Sequence, residues 1–168
     1  MTTLLEEALE NWGFARLGVI EELENLGEAE MRFSPHRESR TVAELVRHIL
    51  ESGGMMAGEL SRPDGDFRRK SYPMLLKEYG RGIASRKTRV ELLAGLRRMH
   101  REGAKKIAAA GEIHMLQKIR RFDGELGTRL AWMAHGVAHE EYHRGQLALY
   151  ARIAGKTPAL TKLIEGSS

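Results

Sequence analysis

Four long stretches of this chain repeat apolar residues at three- and four-residue steps, a period that dictates helices packed on one another. Over residues 2–26 the stripe is Leu5, Ala8, Leu9, Trp12, Ala15, Val19, Leu23 and Leu26, and Gly27 closes it. The second stripe occupies about 42–60, with Leu45, Ile49, Met56 and Leu60. Thr41, followed three residues later by Glu44, gives it a capping box, and Arg62-Pro63-Asp64-Gly65-Asp66 is turn chemistry that stops it. From Ser85 to Ala110 the period returns through Val90, Leu93, Leu96, His100, Ala104 and Ile107, ending at Gly111. The fourth, after Gly124, carries Leu126, Leu130, Met133, Ala134, Val137, Ala138, Leu147, Tyr150 and Ile153, and Gly155 with Pro158 ends it. Pro73 suits the first turn of a short extra helix near 74–79. Residues Ile113 to Ile119 read as an extended segment or a tight loop.

Helices of roughly 20 to 30 residues, each burying one stripe over about 30 Å or more, are satisfied together by an all-α four-helix bundle. One domain over 1–168 is expected. Connections of roughly 14 and 25 residues, before the second and third long helices, are long enough to cross the bundle. Composition agrees: Val, Ile and Thr total 20 against 39 for Leu and Ala, with 4 Pro, which favours helix over sheet. A 42% apolar and 30% charged make-up with mean hydropathy −0.42 is that of a soluble globular chain. The start has no positive region before an apolar run, and no stretch approaches a membrane span. A cytoplasmic protein with no membrane partner is expected.

Charge is uneven along the chain. Residues 1–61 carry 5 basic and 12 acidic side chains, residues 62–121 carry 17 and 6, and residues 122–168 carry 5 and 5. The basic residues of the middle segment are scattered through amphipathic stretches with few aromatics to stack bases. They read as solvated helix faces complementary to the acidic start, and nucleic acid is not the expected partner.

The chain has no cysteine and seven histidines. Disulfides, thiolate zinc sites, iron–sulfur clusters and cysteine nucleophiles are thereby excluded, and metal chemistry rests on imidazole. His139 and His143 stand one turn apart on one face of the fourth helix, a bidentate clamp for an ion such as zinc or nickel. His48 shares the three/four spacing of Thr41, Leu45, Ser52 and Met55 on the second helix and is a candidate third ligand. His135, one turn before His139, is expected to contact the ligand set or face solvent, and His100 to offer a polar neighbour from the third helix. His36 and His114 fall in expected surface loops. Residues 139–143 also satisfy H-E-x-x-H, the zinc-protease helix signature in which the glutamate, here Glu140, is the general base. Such sites need a substrate-binding β-edge and usually a downstream ligand; only Glu165 is available as a carboxylate, so Glu140 is expected to be solvated or salt-bridged. Arg144 is expected to hold the bundle mouth or a carboxylate, and Gly145 to permit close helix approach.

The runs Thr41-Val42-Ala43-Glu44-Leu45-Val46-Arg47-His48-Ile49 and Ala138-His139-Glu140-Glu141-Tyr142-His143-Arg144-Gly145-Gln146-Leu147 together resemble the DinB/YfiT-like family of metal-binding four-helix bundles. That family pairs a histidine from an (S/T)-x-x-E-L-x-x-H opening of the second helix with H-x-x-x-H-R-G-Q on the last. The resemblance implies a divalent-metal site formed by His48, His139 and His143, with water completing the shell, on a bundle whose helix order is not simple up-and-down. Zinc or nickel is the first expectation for the ion, with iron or manganese as further candidates. The resemblance also implies a homodimer and, from some relatives, transfer chemistry on a low-molecular-weight thiol such as bacillithiol or mycothiol; one branch isomerises maleylpyruvate with mycothiol.

The leading expectation is therefore a metal-dependent enzyme acting on a small-molecule substrate, either a thiol-dependent transferase or a hydrolase. The alternative is a non-catalytic metal-binding bundle with a stress-response or interaction role, and a zinc protease comes last. An enzyme leaves a coordination position open, whereas a structural site is closed by a fourth protein ligand.

Overall fold

The computed structural model describes residues 2–166 and builds them into seven helices and one hairpin. In chain order these are α1 (Leu4–Asn25), a 3-10 turn (Ala29–Arg32), α2 (Val42–Ser61), α3 (Tyr72–Tyr79), α4 (Arg89–Ala110), α5 (Glu112–Leu116), β1 (Lys118–Arg120), β2 (Leu126–Thr128), α6 (Arg129–Ile153) and α7 (Ala159–Gly166). Met1, Ser167 and Ser168, which the expected single domain includes, lie outside the described residues.

Threonines set where the long helices start. Thr3, Thr41 and Thr88 each accept from a backbone N–H three residues on, while Glu6, Glu44 and Glu91 reach back to the cap N–H, giving three complete capping boxes. Thr128 caps α6 by accepting from Ala131 N–H. The short helix near 74–79 is present as α3, with Pro73 in its first turn, where a missing N–H costs nothing.

The four long helices α1, α2, α4 and α6 form the bundle. α1 packs on α6 and α4, and α2 packs on the same two, so the sequence neighbours α1 and α2 lie across the bundle from each other. The connection between them therefore crosses the bundle. Two apolar clusters fill the interior: one around Val19, Leu23, Leu45, Ile49, Leu96 and Leu147, the other around Trp12, Met56, Leu60, Phe67, Ile107 and Met133. Among the described residues, no helix is long and apolar enough to cross a membrane.

Several local expectations are corrected. Ile113 to Ile119 is neither a plain loop nor extended throughout: it holds the short helix α5 and opens strand β1. β1 pairs antiparallel with β2, Ile119 opposite Gly127, through a turn in which Gly124 takes φ 95°. Leu126 belongs to that hairpin, so the last helix begins three residues later; three-residue strands carry too little alternation to be read. The third long helix begins after Thr88 rather than at Ser85, and Val90, at 70% exposure, faces solvent, with Leu92, Leu93 and Leu96 turned inward. Ala134, Ala138 and Ile153 likewise face outward on α6.

Candidate metal centre

α2 and α6 lie side by side and bring three imidazoles together. His48 Nε2 is 3.1 Å from His139 Nε2, and His143 Nε2 is 3.0 Å from the same atom. One ligand nitrogen from each of the three lies within 4.8 Å of the others, and among the described residues no fourth His, Asp or Glu joins them. His139 and His143 meet because they are one turn apart on α6, and the capping box at Thr41 sets the start of the helix that carries His48.

The donor set fits a divalent ion. Three Nε2 atoms at these separations cannot satisfy one another, since a neutral imidazole offers one N–H at most. Metal–nitrogen bonds of about 2.0–2.1 Å place neighbouring ligand nitrogens about 2.9 Å apart at octahedral angles and about 3.3 Å apart at tetrahedral ones, and the observed separations lie between. His143 Nδ1 donates to Gln146 Oε1 at 2.7 Å, which leaves its Nε2 as the lone-pair nitrogen facing the centre. Burial lowers His48 to about 3, helped by Arg40 and the other two imidazoles. It lowers His139 to about 4, with His143 adding to the effect and Glu140 opposing it. His143 is lowered by burial, against the Gln146 hydrogen bond. All three rings are neutral near pH 7, the form that ligates metal.

Of the two expectations for Glu140, the salt-bridged one holds: it is buried and paired rather than solvated, and it is not placed as a protease base. Its side chain is 1% exposed, with Oε1 accepting from Trp12 Nε1 at 2.7 Å and Oε2 accepting from Arg16 Nε at 2.8 Å. Arg16, also 1% exposed, gives a second bond to Oε1 at 2.5 Å. Both carboxylate oxygens are thus committed to donors on α1. The only strands among the described residues are β1 and β2, so the protease expectation also lacks its substrate edge.

His135 stays outside the triad, exposed and against Trp132 at 4.5 Å between ring centroids. His100 reaches the interior but packs edge-on against Trp12 at 4.6 Å, two residues removed from the triad through Glu140. His36 is exposed, as expected. His114 is half-buried instead, its Nε2 2.8 Å from the Leu60 carbonyl at the end of α2. Arg144 does hold a carboxylate, that of Glu141 at 3.3 Å, and lies over the Phe14 ring. The glycine that permits its approach is Gly18, where a Cβ would sit 2.3 Å from the guanidinium carbon; at Gly145 a Cβ would meet nothing within 4 Å. Part of the basic excess of residues 62–121 is paired: Arg69 with Glu59 and Glu78, Lys70 with Glu78, and Arg97 with Glu24.

Beside the triad, sequence reasoning missed a cavity of about 410 Å³. His139 forms part of its wall, and Phe67, Tyr72, Phe122 and Trp132 supply aromatic faces. Those aromatics come from the loop before α3, from α3, from the hairpin and from α6, so no single helical stripe announces them.

A family model described as the DinB superfamily matches residues 15–147. Among solved structures, a DinB-like protein, YjoA, from Bacillus subtilis is similar with a TM-score of 0.67 at 20% sequence identity, over 90% of this chain and 93% of that chain. That likeness is one of fold. No curated protein matches the chain.

Proposed function

The chain belongs to the DinB superfamily, and from that premise we propose that it is a metal-dependent enzyme with His48, His139 and His143 as the ligands of one divalent ion. The observation that carries this reading is the convergence of three neutral imidazoles on one point with no fourth His, Asp or Glu beside them among the described residues, a donor set that would leave coordination positions open on a bound ion. Zinc or nickel suits an all-imidazole set best. When bound, such an ion acts as a Lewis acid that acidifies a thiol or water in its coordination sphere.

The chain's own residues divide the remaining work. Gln146 holds His143 in the tautomer that presents Nε2. Burial keeps the three rings unprotonated. The Arg16–Glu140 pair anchors α6 to α1 at the residue next to His139 in sequence. With no cysteine in the chain, a thiol reaction draws its sulfur from a low-molecular-weight cosubstrate. In transfer, the thiol gives its proton to solvent, sulfur bonds to the electrophilic carbon, and the acceptor's leaving group departs with its bonding pair.

The test is an assay of the metal-loaded protein with bacillithiol and mycothiol against an electrophilic acceptor. Thiol-dependent turnover that disappears in His139→Ala is the expected result. No acceleration by the fully loaded protein would favour a non-catalytic metal-binding bundle. A homodimer belongs to the same proposal; Phe14 and Leu17 on α1 and Tyr142 on α6 are large apolar side chains left 63%, 52% and 65% exposed, and a dimeric mass in solution is expected.

A further inference from the structure

The cavity beside His139 contains one polar feature that its apolar walls do not explain. Ser52 stands one turn after His48 on α2, is 8% exposed, lines the cavity, and its hydroxyl has no hydrogen-bond partner among the described residues. Serine hydroxyls inside helices usually bond back to a carbonyl in the preceding turn, as Ser61 does to Ala57 at 2.7 Å. Ser52 does not, and a buried hydroxyl left unpaired is unfavourable unless something else binds it.

The remaining lining decides what that something is. No Asp, Glu, Lys or Arg is among the residues that line the cavity, and Tyr72, His135 and His139 are its titratable members. Phe67 packs against Phe122 and Trp132 at ring separations of 5.0 and 5.6 Å, so these rings form a continuous apolar wall rather than a box around a cation. At about 410 Å³ the space is at the small end of ligand pockets, which run about 300–1,000 Å³.

We propose that this cavity seats the acceptor substrate, and that the acceptor is a neutral, flat molecule of one or two fused rings with an oxygen substituent hydrogen-bonded to Ser52 Oγ. The rings lie along the Phe67–Phe122–Trp132 wall, and His139 joins the cavity to the metal centre. This substrate class rests on the metal-enzyme reading for its reacting partner, but ring binding and metal content are measured separately.

The experiment is calorimetric titration of the metal-loaded protein with 2-naphthol, naphthalene and the trimethylanilinium cation, with metal content determined on every sample. One 2-naphthol per chain is expected, bound more tightly than the cation. Ser52→Ala should weaken 2-naphthol about 3- to 10-fold, the effect of one lost hydrogen bond, and leave naphthalene unchanged. Ala138→Phe, at an exposed position on the cavity wall, should abolish binding of both ring compounds while the metal stays in place. Tighter binding of the cation, equal effects of Ser52→Ala on both ring compounds, or undiminished binding in Ala138→Phe would each overturn the proposal. Wild-type protein that takes up no added divalent ion yet still binds 2-naphthol would fail the metal reading and leave the ring site standing.

Discussion

Glu140 and Arg16 face each other at 2.5 Å with both side chains 1% exposed, so the residue adjacent to His139 is spent on holding α6 to α1. Glu140→Gln removes the charge and leaves Arg16 buried without its counterion. A loss of about 3–5 kcal/mol in stability is expected from denaturant unfolding, because breaking one half of a buried pair strands the other. The triad should still hold its ion in the folded fraction. A zinc-protease base would behave oppositely, keeping stability and losing only activity.

Gln146→Leu removes the acceptor that orients His143. Partners that fix a ligating imidazole are worth about 10- to 100-fold in metal affinity, and competition with a chromogenic chelator should show a loss in that range. Thermal stability of the metal-free protein should change little by comparison.

Gly103 and Gly145 should respond to alanine with opposite signs. At Gly103 a Cβ would lie 2.7 Å from the Trp12 ring and 3.0 Å from the Ala57 Cβ, so Gly103→Ala should destabilise by about 1–3 kcal/mol. At Gly145 the helix surface is open, and Gly145→Ala should stabilise by about 0.5–1 kcal/mol through helix propensity alone. Urea midpoints of the two variants check both.

Acid should weaken the junction of α2 and α3. Arg69, then Lys70, hold Glu78 down to about 2 from a usual 4.5. Burial alone would raise Glu59, but hydrogen bonds from Arg69, Tyr79 and the Asp66 N–H outweigh it and leave the carboxyl below its usual value. Carboxyls depressed by folding bind fewer protons than in the unfolded chain, so their contribution is present above about pH 4.5 and is lost as pH falls toward about 2. Unfolding midpoints of the metal-free protein should fall through that window, and Arg69→Met should flatten the fall.

Much of the bundle was legible because its signals are local and periodic. Thr41 and Glu44 announced the start of α2, and the same T-x-x-E pattern at Thr3–Glu6 and Thr88–Glu91 would have fixed two more boundaries. The triad was legible as two ligands at helical spacing on the last helix and His48 as a candidate from its spacing on the second, joined into one set by the family resemblance. What escaped depends on distance along the chain. Glu140 finds Arg16 124 residues away, the hairpin strands are too short to show a period, and the cavity aromatics share a wall without sharing a helix. Gly145 was expected to permit close packing, yet only the structure shows that Gly18, on the opposing helix, does so.

The central claim is a single divalent ion held by His48, His139 and His143, and elemental analysis of the protein purified without chelator at near-neutral pH tests it most directly. About one zinc or nickel per chain, lost in His48→Ala, His139→Ala and His143→Ala while helical circular dichroism is kept, is the predicted result. A metal-free wild-type protein that takes up no added divalent ion, or a triple alanine variant that still carries one per chain, would contradict it.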